Sequence, residues 1–153
     1  HIHEKEKLLC KFEELLLSGG VGFIGFPAWQ MPFGGHQQVC QNKDWSKLPF
    51  IHLFHKTIYE WLLKNGGEAK SKIDELLDIK ECKTSVELFE KTVRKTNLEI
   101  VKRTLYFINP HYEAKFNLKP RRLSGLIGSI PYIRNFFSTS CFYLLRKKEV
   151  KDS

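Results

Sequence analysis

No apolar run in the chain approaches the ~18–20 residues of a membrane-spanning helix, so no integral membrane segment is expected. The four cysteines, Cys10, Cys40, Cys82 and Cys141, are far apart and form no Cys-x-x-Cys pair. A zinc site needs closer pairs or partnering histidines, and no metal is expected. The thiols read as reduced residues of a cytoplasmic protein. None of the ten glycines belongs to a Gly-x-Gly-x-Gly turn at a strand-to-helix junction, so the sequence offers no phosphate-cradling loop of that kind. Internal repeats and low-complexity segments are absent too.

What is present describes one folded core. The 153 residues are 42% hydrophobic and 13% aromatic, with twelve phenylalanines. Disordered chains are poorer in both classes, and the length suffices to bury a core. The net charge of +8 raises nucleic acid as a partner. The basic residues, however, concentrate at Lys115–Arg122 and Arg146–Lys151, with no recognition-helix motif, zinc finger or aromatic RNA-binding signature beside them. No nucleic-acid partner is expected, and a solvated tail accounts for the second block.

The most informative stretch runs from Gly19 to Gln37. Before it, Glu4–Ser18 places Leu8, Phe12, Leu15 and Leu16 at helical spacing. Gly19-Gly20 is the glycine stop of that helix. Val21–Phe26 is a short apolar run between turn signals and reads as a buried strand of parallel type. Ligands of open parallel sheets bind beyond the carboxyl ends of the strands, where Trp29 and His36 would sit.

Farther along, Gln38–Pro49 is polar and loop-like, with a turn at Asn42-Lys43-Asp44. Phe50, Phe54, Ile58, Trp61 and Leu62 repeat at helical spacing up to Gly66-Gly67. Glu68–Lys80 predicts a charged helix with Ile73, Leu76, Leu77 and Ile79 as its apolar residues. Thr84 and Glu87 have capping-box spacing for a helix reaching about Thr96. Leu98–Ile108, rich in β-branched and aromatic residues, predicts a strand, and Ser138–Arg146 the last one. Arg121–Phe137 alternates apolar and basic residues. Basic amphipathic segments can touch a membrane surface, but Gly125, Gly128 and Pro131 interrupt a helix here, and packing against the protein's own sheet is expected.

The order helix, Leu16-Leu17-Ser18-Gly19-Gly20, apolar strand ending in Phe26-Pro27 resembles the second half of a class I S-adenosylmethionine-dependent methyltransferase. That family commonly writes the turn as Leu-Lys-Pro-Gly-Gly. Pro27-Ala28-Trp29, followed by Pro32-Phe33-Gly34-Gly35-His36-Gln37, is similar to a loop found in part of the type 11 group. His1-Ile2 resembles the end of the Glu-His-Ile/Leu element after that family's fourth strand. Tyr106–Pro110, Lys119-Pro120-Arg121 and Phe142–Lys147 resemble the same group.

The resemblance implies an α/β fold, the C-terminal half of a Rossmann-like sheet. It would hold the fifth strand and a terminal antiparallel pair, with the last strand inserted beside the fifth. Residues 38–77 would be a lid-like helical insertion whose apolar face, Phe50, Phe54, Ile58 and Trp61, covers the acceptor. The whole chain would be the C-terminal part of one methyltransferase domain. Its cofactor-binding N-terminal part, with the Gly-rich turn and the ribose-binding acidic residue, would be missing. The implied function is methyl transfer from S-adenosylmethionine to a small apolar or aromatic acceptor, with the isolated chain inactive. A non-catalytic fragment or binding module that retains the second half of the fold is the alternative.

Site expectations follow. His36 is the candidate base, or a loop histidine bonded to backbone. His1 and Ile2 are the candidate cofactor contacts. Pro27, Trp29, Gln37, Tyr106 and Asn109 are the candidate substrate contacts, although Trp29 could equally cap the core. Gly34-Gly35 is a hinge or a turn needing positive φ. His52 and His55, spaced i, i+3, lack a third ligand nearby. The expected partners are the small-molecule acceptor and a second copy or a retained N-terminal piece on the open edge of the strand Val21–Phe26, with peripheral membrane contact left open.

Overall fold

The computed structural model describes residues 4–149. His1 and Ile2 lie outside the described residues. The architecture is α/β: a four-stranded antiparallel sheet with helices on one face. Helix α1, Lys5–Leu15, opens it. Its inward stripe is Leu9, Phe12 and Leu16, whereas Leu8 is exposed and Leu15 is 85% exposed. The expected stripe was therefore misphased. Leu8, Leu9, Leu15 and Leu16 form two adjacent pairs, and contact with the sheet selects one member of each. The helix ends before Leu16, which is extended, and Gly19 supplies a positive φ of 68° in the following turn.

Strand β1, Val21–Phe26, comes next. The remaining strands are β2, Leu98–Ile108, β3, Arg121–Arg122, and β4, Ser140–Lys147. The order is β1-β4-β2-β3, so the last strand lies between the first and the longest. Phe26 pairs with Cys141, which pairs with Leu105, so β1 and β2 finish at the same end of the sheet. Strand β1 is an edge strand whose ladder among the described residues runs antiparallel to β4. It is not buried on both faces: its residues alternate between exposed and half-buried. The unbroken apolar run has two destinations. Ile24 and Phe26 pack into the core, whereas Val21 and Phe23 lie exposed. The Phe23 ring meets Phe142 edge-on at 5.1 Å.

The covered face carries the first apolar cluster. Leu9 of α1 and Val86, Phe89 and Val93 of α5, Val86–Val93, pack on Leu98, Leu105, Cys141, Tyr143 and Leu145. The Tyr143 hydroxyl donates to Glu90 at 3.0 Å. Helix α5 is capped by Ser85, whose Oγ accepts from the Leu88 amide, and not by Thr84. Glu87 makes no capping box. Its carboxylate accepts from the Tyr132 amide, Arg134 and Asn135, while Asn135 Oδ1 accepts from the Val86 amide. These bonds tie α5 to α8, Arg134–Phe137. Burial opposes ionisation of Glu87, but those donors hold its pKa below the ordinary value.

Residues 27–82 form a second cluster from α2, Lys43–Lys47, α3, Lys56–Asn65, and α4, Lys70–Cys82. Asn42 caps α2 through its side chain. The helix expected from Phe50 is interrupted: Phe50 is left-handed at φ 66°, Ile51–Leu53 is a 3-10 turn, and His55 caps α3. Phe50, Phe54, Ile58 and Trp61 are exposed, while Tyr59 and Leu63 face the cluster. The face expected to cover a ligand therefore points to solvent, because α3 turns Tyr59 and Leu63 inward. Between β2 and β4 run α6, His111–Phe116, then β3, then α7, Gly125–Ser129, then α8.

Candidate functional site

A cavity of about 310 Å3 opens beyond the carboxyl end of β1. Ile24, Phe26 and Pro27 form its floor, and Trp29, Gly34 and His36 one wall. The start of α1 and the junction of α4 with α5 close the other sides. The Lys5 ammonium donates to the Cys82 carbonyl, which fastens these two elements together.

The loop after β1 is held by polar bonds at short range. The Trp29 amide donates to the Thr84 carbonyl at 2.8 Å, and Trp29 O accepts from His52 Nε2 at 2.8 Å. The two rings meet edge-on, 4.6 Å apart. Trp29 thus does both things its position allowed: it belongs to the second cluster and walls the cavity. The carbonyl partner requires the proton of His52 on Nε2, and Nδ1 is buried without a hydrogen-bond partner. Burial lowers the His52 pKa to about 4, with Lys80 adding to the effect and the Trp29 carbonyl opposing it. His52 is a neutral strut.

Gly34 and Gly35 are not positive-φ residues. A Cβ on Gly34 would lie 2.1 Å from Trp29 O, and one on Gly35 would lie 2.2 Å from His52 Cβ. Their role is close approach. His36 carries the left-handed turn at φ 58°. Its pKa is lowered, chiefly by burial, with Glu75 pulling the other way. Beneath the loop, Lys80 Nζ donates to the His52 and Phe54 carbonyls at 2.5 and 2.7 Å and lies over the Trp29 and Tyr59 rings at 5.7 and 5.6 Å. Burial and the nearby Lys83 lower its pKa.

Of the expected site residues, Pro27, Trp29 and His36 come together at the cavity. Gln37 does not line it. Its side chain is fully buried and donates to the Pro32 and Leu48 carbonyls at 2.9 and 3.2 Å. Tyr106 packs on Phe142 with ring centroids 5.2 Å apart, and Asn109 Oδ1 accepts from the His111 amide; neither lines the cavity. His55 caps α3 while His52 braces Trp29, so the pair does not converge on a common point. No group of three or more metal-ligating side chains occurs among the described residues. No described helix is long and apolar enough to cross a membrane. Cys40, Cys82 and Cys141 are buried, Cys10 is exposed, and none of the four forms a disulfide.

Sequence reasoning weighed His52 only as half of a metal pair with His55, and it missed Lys80 and the α4–α5 junction. The available signal was polarity out of place: His52 between Ile51 and Leu53, and Lys80 directly after Ile79. The lining is apolar apart from a few groups, among them Lys5 and Lys83, and it includes no Asp or Glu. Gly20, Gly22 and Gly25 have the spacing of a dinucleotide fingerprint, but they sit before and within β1 and not in a turn entering a helix. Comparison with known proteins returned nothing: no family model, no curated protein and no solved structure matches this chain.

Proposed function

We propose that this chain supplies the acceptor pocket of an S-adenosylmethionine-dependent methyltransferase, with a small apolar or aromatic acceptor in the cavity beyond β1. One observation supports the reading above others. Pro27, Trp29 and His36 line one cavity at the carboxyl end of β1, in a sheet whose last strand lies beside β1. The sequence resemblance implies that combination of strand order and loop. Leu9, Ile24, Phe26, Ile79 and Phe89 give the pocket an apolar body suited to a planar or branched ligand. Burial lowers the His36 pKa, which favours the unprotonated imidazole that a general base needs to take a proton from an acceptor hydroxyl or amine.

S-adenosylmethionine itself does not fit these residues. A ribose is ordinarily held by a carboxylate, and the lining has none, while Lys5 and Lys83 would repel the sulfonium. The described residues make an acceptor site without a cofactor cradle. That same deficit favours the second reading, a module that binds an apolar ligand without transforming it.

A double variant, Trp45→Phe with Trp61→Phe, leaves Trp29 as the sole indole. Titration with a naphthol should quench its emission saturably, and titration with S-adenosylmethionine should not. Absence of saturable quenching by the aromatic compound removes the acceptor reading. Saturable quenching by S-adenosylmethionine alone reassigns the cavity to the cofactor. With Trp29→Ala in the otherwise native chain, calorimetry should show weaker naphthol binding.

A further inference from the structure

We propose that the connection between β2 and β4 is a docking face for an anionic lipid bilayer. This inference is independent of methyl transfer. Residues 109–139 leave the sheet at the end where Phe26, Cys141 and Leu105 lie in one row, the end that also carries the loop after β1. The expectation was that the apolar residues of Arg121–Phe137 would pack on the sheet. Leu123 does, half-buried against the first cluster. Ile127 is half-buried too, but others project outward: Leu126 is 83% exposed and Tyr132 68%, and Ile130 and Ile133 are exposed as well. Phe116 of α6 and Leu118 just after it are exposed too.

The charges choose the occupant. Lys115, Lys119, Arg121 and Arg122 are all exposed, and Glu113 is the one carboxylate between residues 111 and 133. Arg121 and Arg122 form the outer strand β3, paired with Ile108 and Tyr106 at this same end. Arg134, by contrast, is buried and bonded to Glu87, so it is not part of the surface. Apolar tips among cations with almost no acid match the boundary of a bilayer, where side chains enter the acyl region and cations meet anionic headgroups. A protein partner large enough to cover these residues would leave several cations needing carboxylates of its own.

The test is co-sedimentation of the full chain with vesicles of phosphatidylcholine containing about one-third phosphatidylglycerol. Binding is expected there, with weaker binding to phosphatidylcholine alone and loss at high salt. Leu126→Asp should lower partitioning about tenfold or more, and Arg121→Gln with Arg122→Gln should lower it on anionic vesicles only. Leu15 supplies the control. It is 85% exposed and ends α1 ahead of the turn that starts β1, so it belongs to the opposite end of the sheet. Leu15→Asp should bind as the native chain does. Circular dichroism of each variant checks that the fold is retained. No binding to anionic vesicles overturns the proposal, as does equal loss in Leu15→Asp and Leu126→Asp. Lipid-free self-association that Leu126→Asp abolishes would also overturn it, by making the patch a protein interface.

Discussion

The two apolar clusters of this protein are closed by different means. The first lies between α1, α5 and the sheet, and its members are side chains that periodicity turns inward. The backbone there is satisfied by helix and ladder bonds. The second lies among α3, α4 and the loop after β1. Much of its backbone is irregular, and buried polar side chains do what a ladder does elsewhere. Gln37 takes the Pro32 and Leu48 carbonyls, Lys80 those of His52 and Phe54, and His52 that of Trp29. The candidate cavity lies where the two meet, with Phe26 and Phe89 from the first and Trp29 and Ile79 from the second. A pocket wall made of loop must be held by specific bonds, since an unpaired buried carbonyl costs free energy.

The largest expected effect tests the first cluster. Leu145 is fully buried in the central strand, and Leu145→Ala should destabilise by about 4 kcal/mol. The unfolding midpoint in urea should fall with every probe. A loss that spares Trp29 fluorescence would mean that the clusters are not cooperative.

Gly35→Ala strikes the loop that braces the second cluster at a close contact. The added Cβ would meet the Cβ of buried His52, which cannot swing away like the end of a long side chain. A loss of about 3 kcal/mol is expected, with Trp29 emission shifted to the red and ligand quenching lost. An unchanged midpoint would show that the loop yields and that its bonds do not fix the wall.

The third prediction is a pH dependence. Folded His52 titrates near 4 and the ordinary value is 6.5. Above pH 6.5 neither state takes the proton, and full stability is present. As pH falls from 6.5 toward 4, the unfolded chain binds a proton that folded His52 refuses, and stability drops, by about 2 kcal/mol at pH 5. Below 4 this group adds no further slope. Denaturant titrations across the window should show the decline, and His52→Gln should flatten it. A native profile already flat from pH 6.5 to 4 would remove His52 as a buried neutral strut.

Lys80→Met should have the smallest effect, about 1–2 kcal/mol destabilising. Two carbonyls lose their donor, but a buried cation is replaced by an apolar chain of similar length. Were the variant more stable than the native chain, the second cluster would be an ordinary apolar core and the contrast between the regions would disappear.

Local pattern made much of this chain readable. Strand β2 spans the residues its β-branched and aromatic content marks, and α4 buries Ile73, Leu76 and Ile79 as its spacing requires. The loop bearing Trp29 and His36 was legible because a glycine stop, a short apolar run and a proline follow in order. Phase was not legible. Nothing within α1 says whether Leu8 or Leu9 faces the sheet, and α3 exposes Ile58 and Trp61 because α4 receives Tyr59 and Leu63 instead.

The sequence by itself determined the types of the longer elements, but not the short helix α2 within the polar stretch Gln38–Pro49; it also determined the gathering of Pro27, Trp29 and His36 past one strand end. Each rests on interactions among neighbours in the chain, which composition and spacing record. Only the tertiary structure decided that β1 is a half-exposed edge strand beside β4. It also decided that Glu87 serves Arg134 and Asn135 in place of a capping box. Likewise, it made His52 and Lys80 the supports of the cavity wall. The polar bonds among those outcomes reach partners 23 to 48 residues away, β1 pairs with the last strand of the chain, and the free energy of a buried polar group is set by whichever partner the fold brings to it.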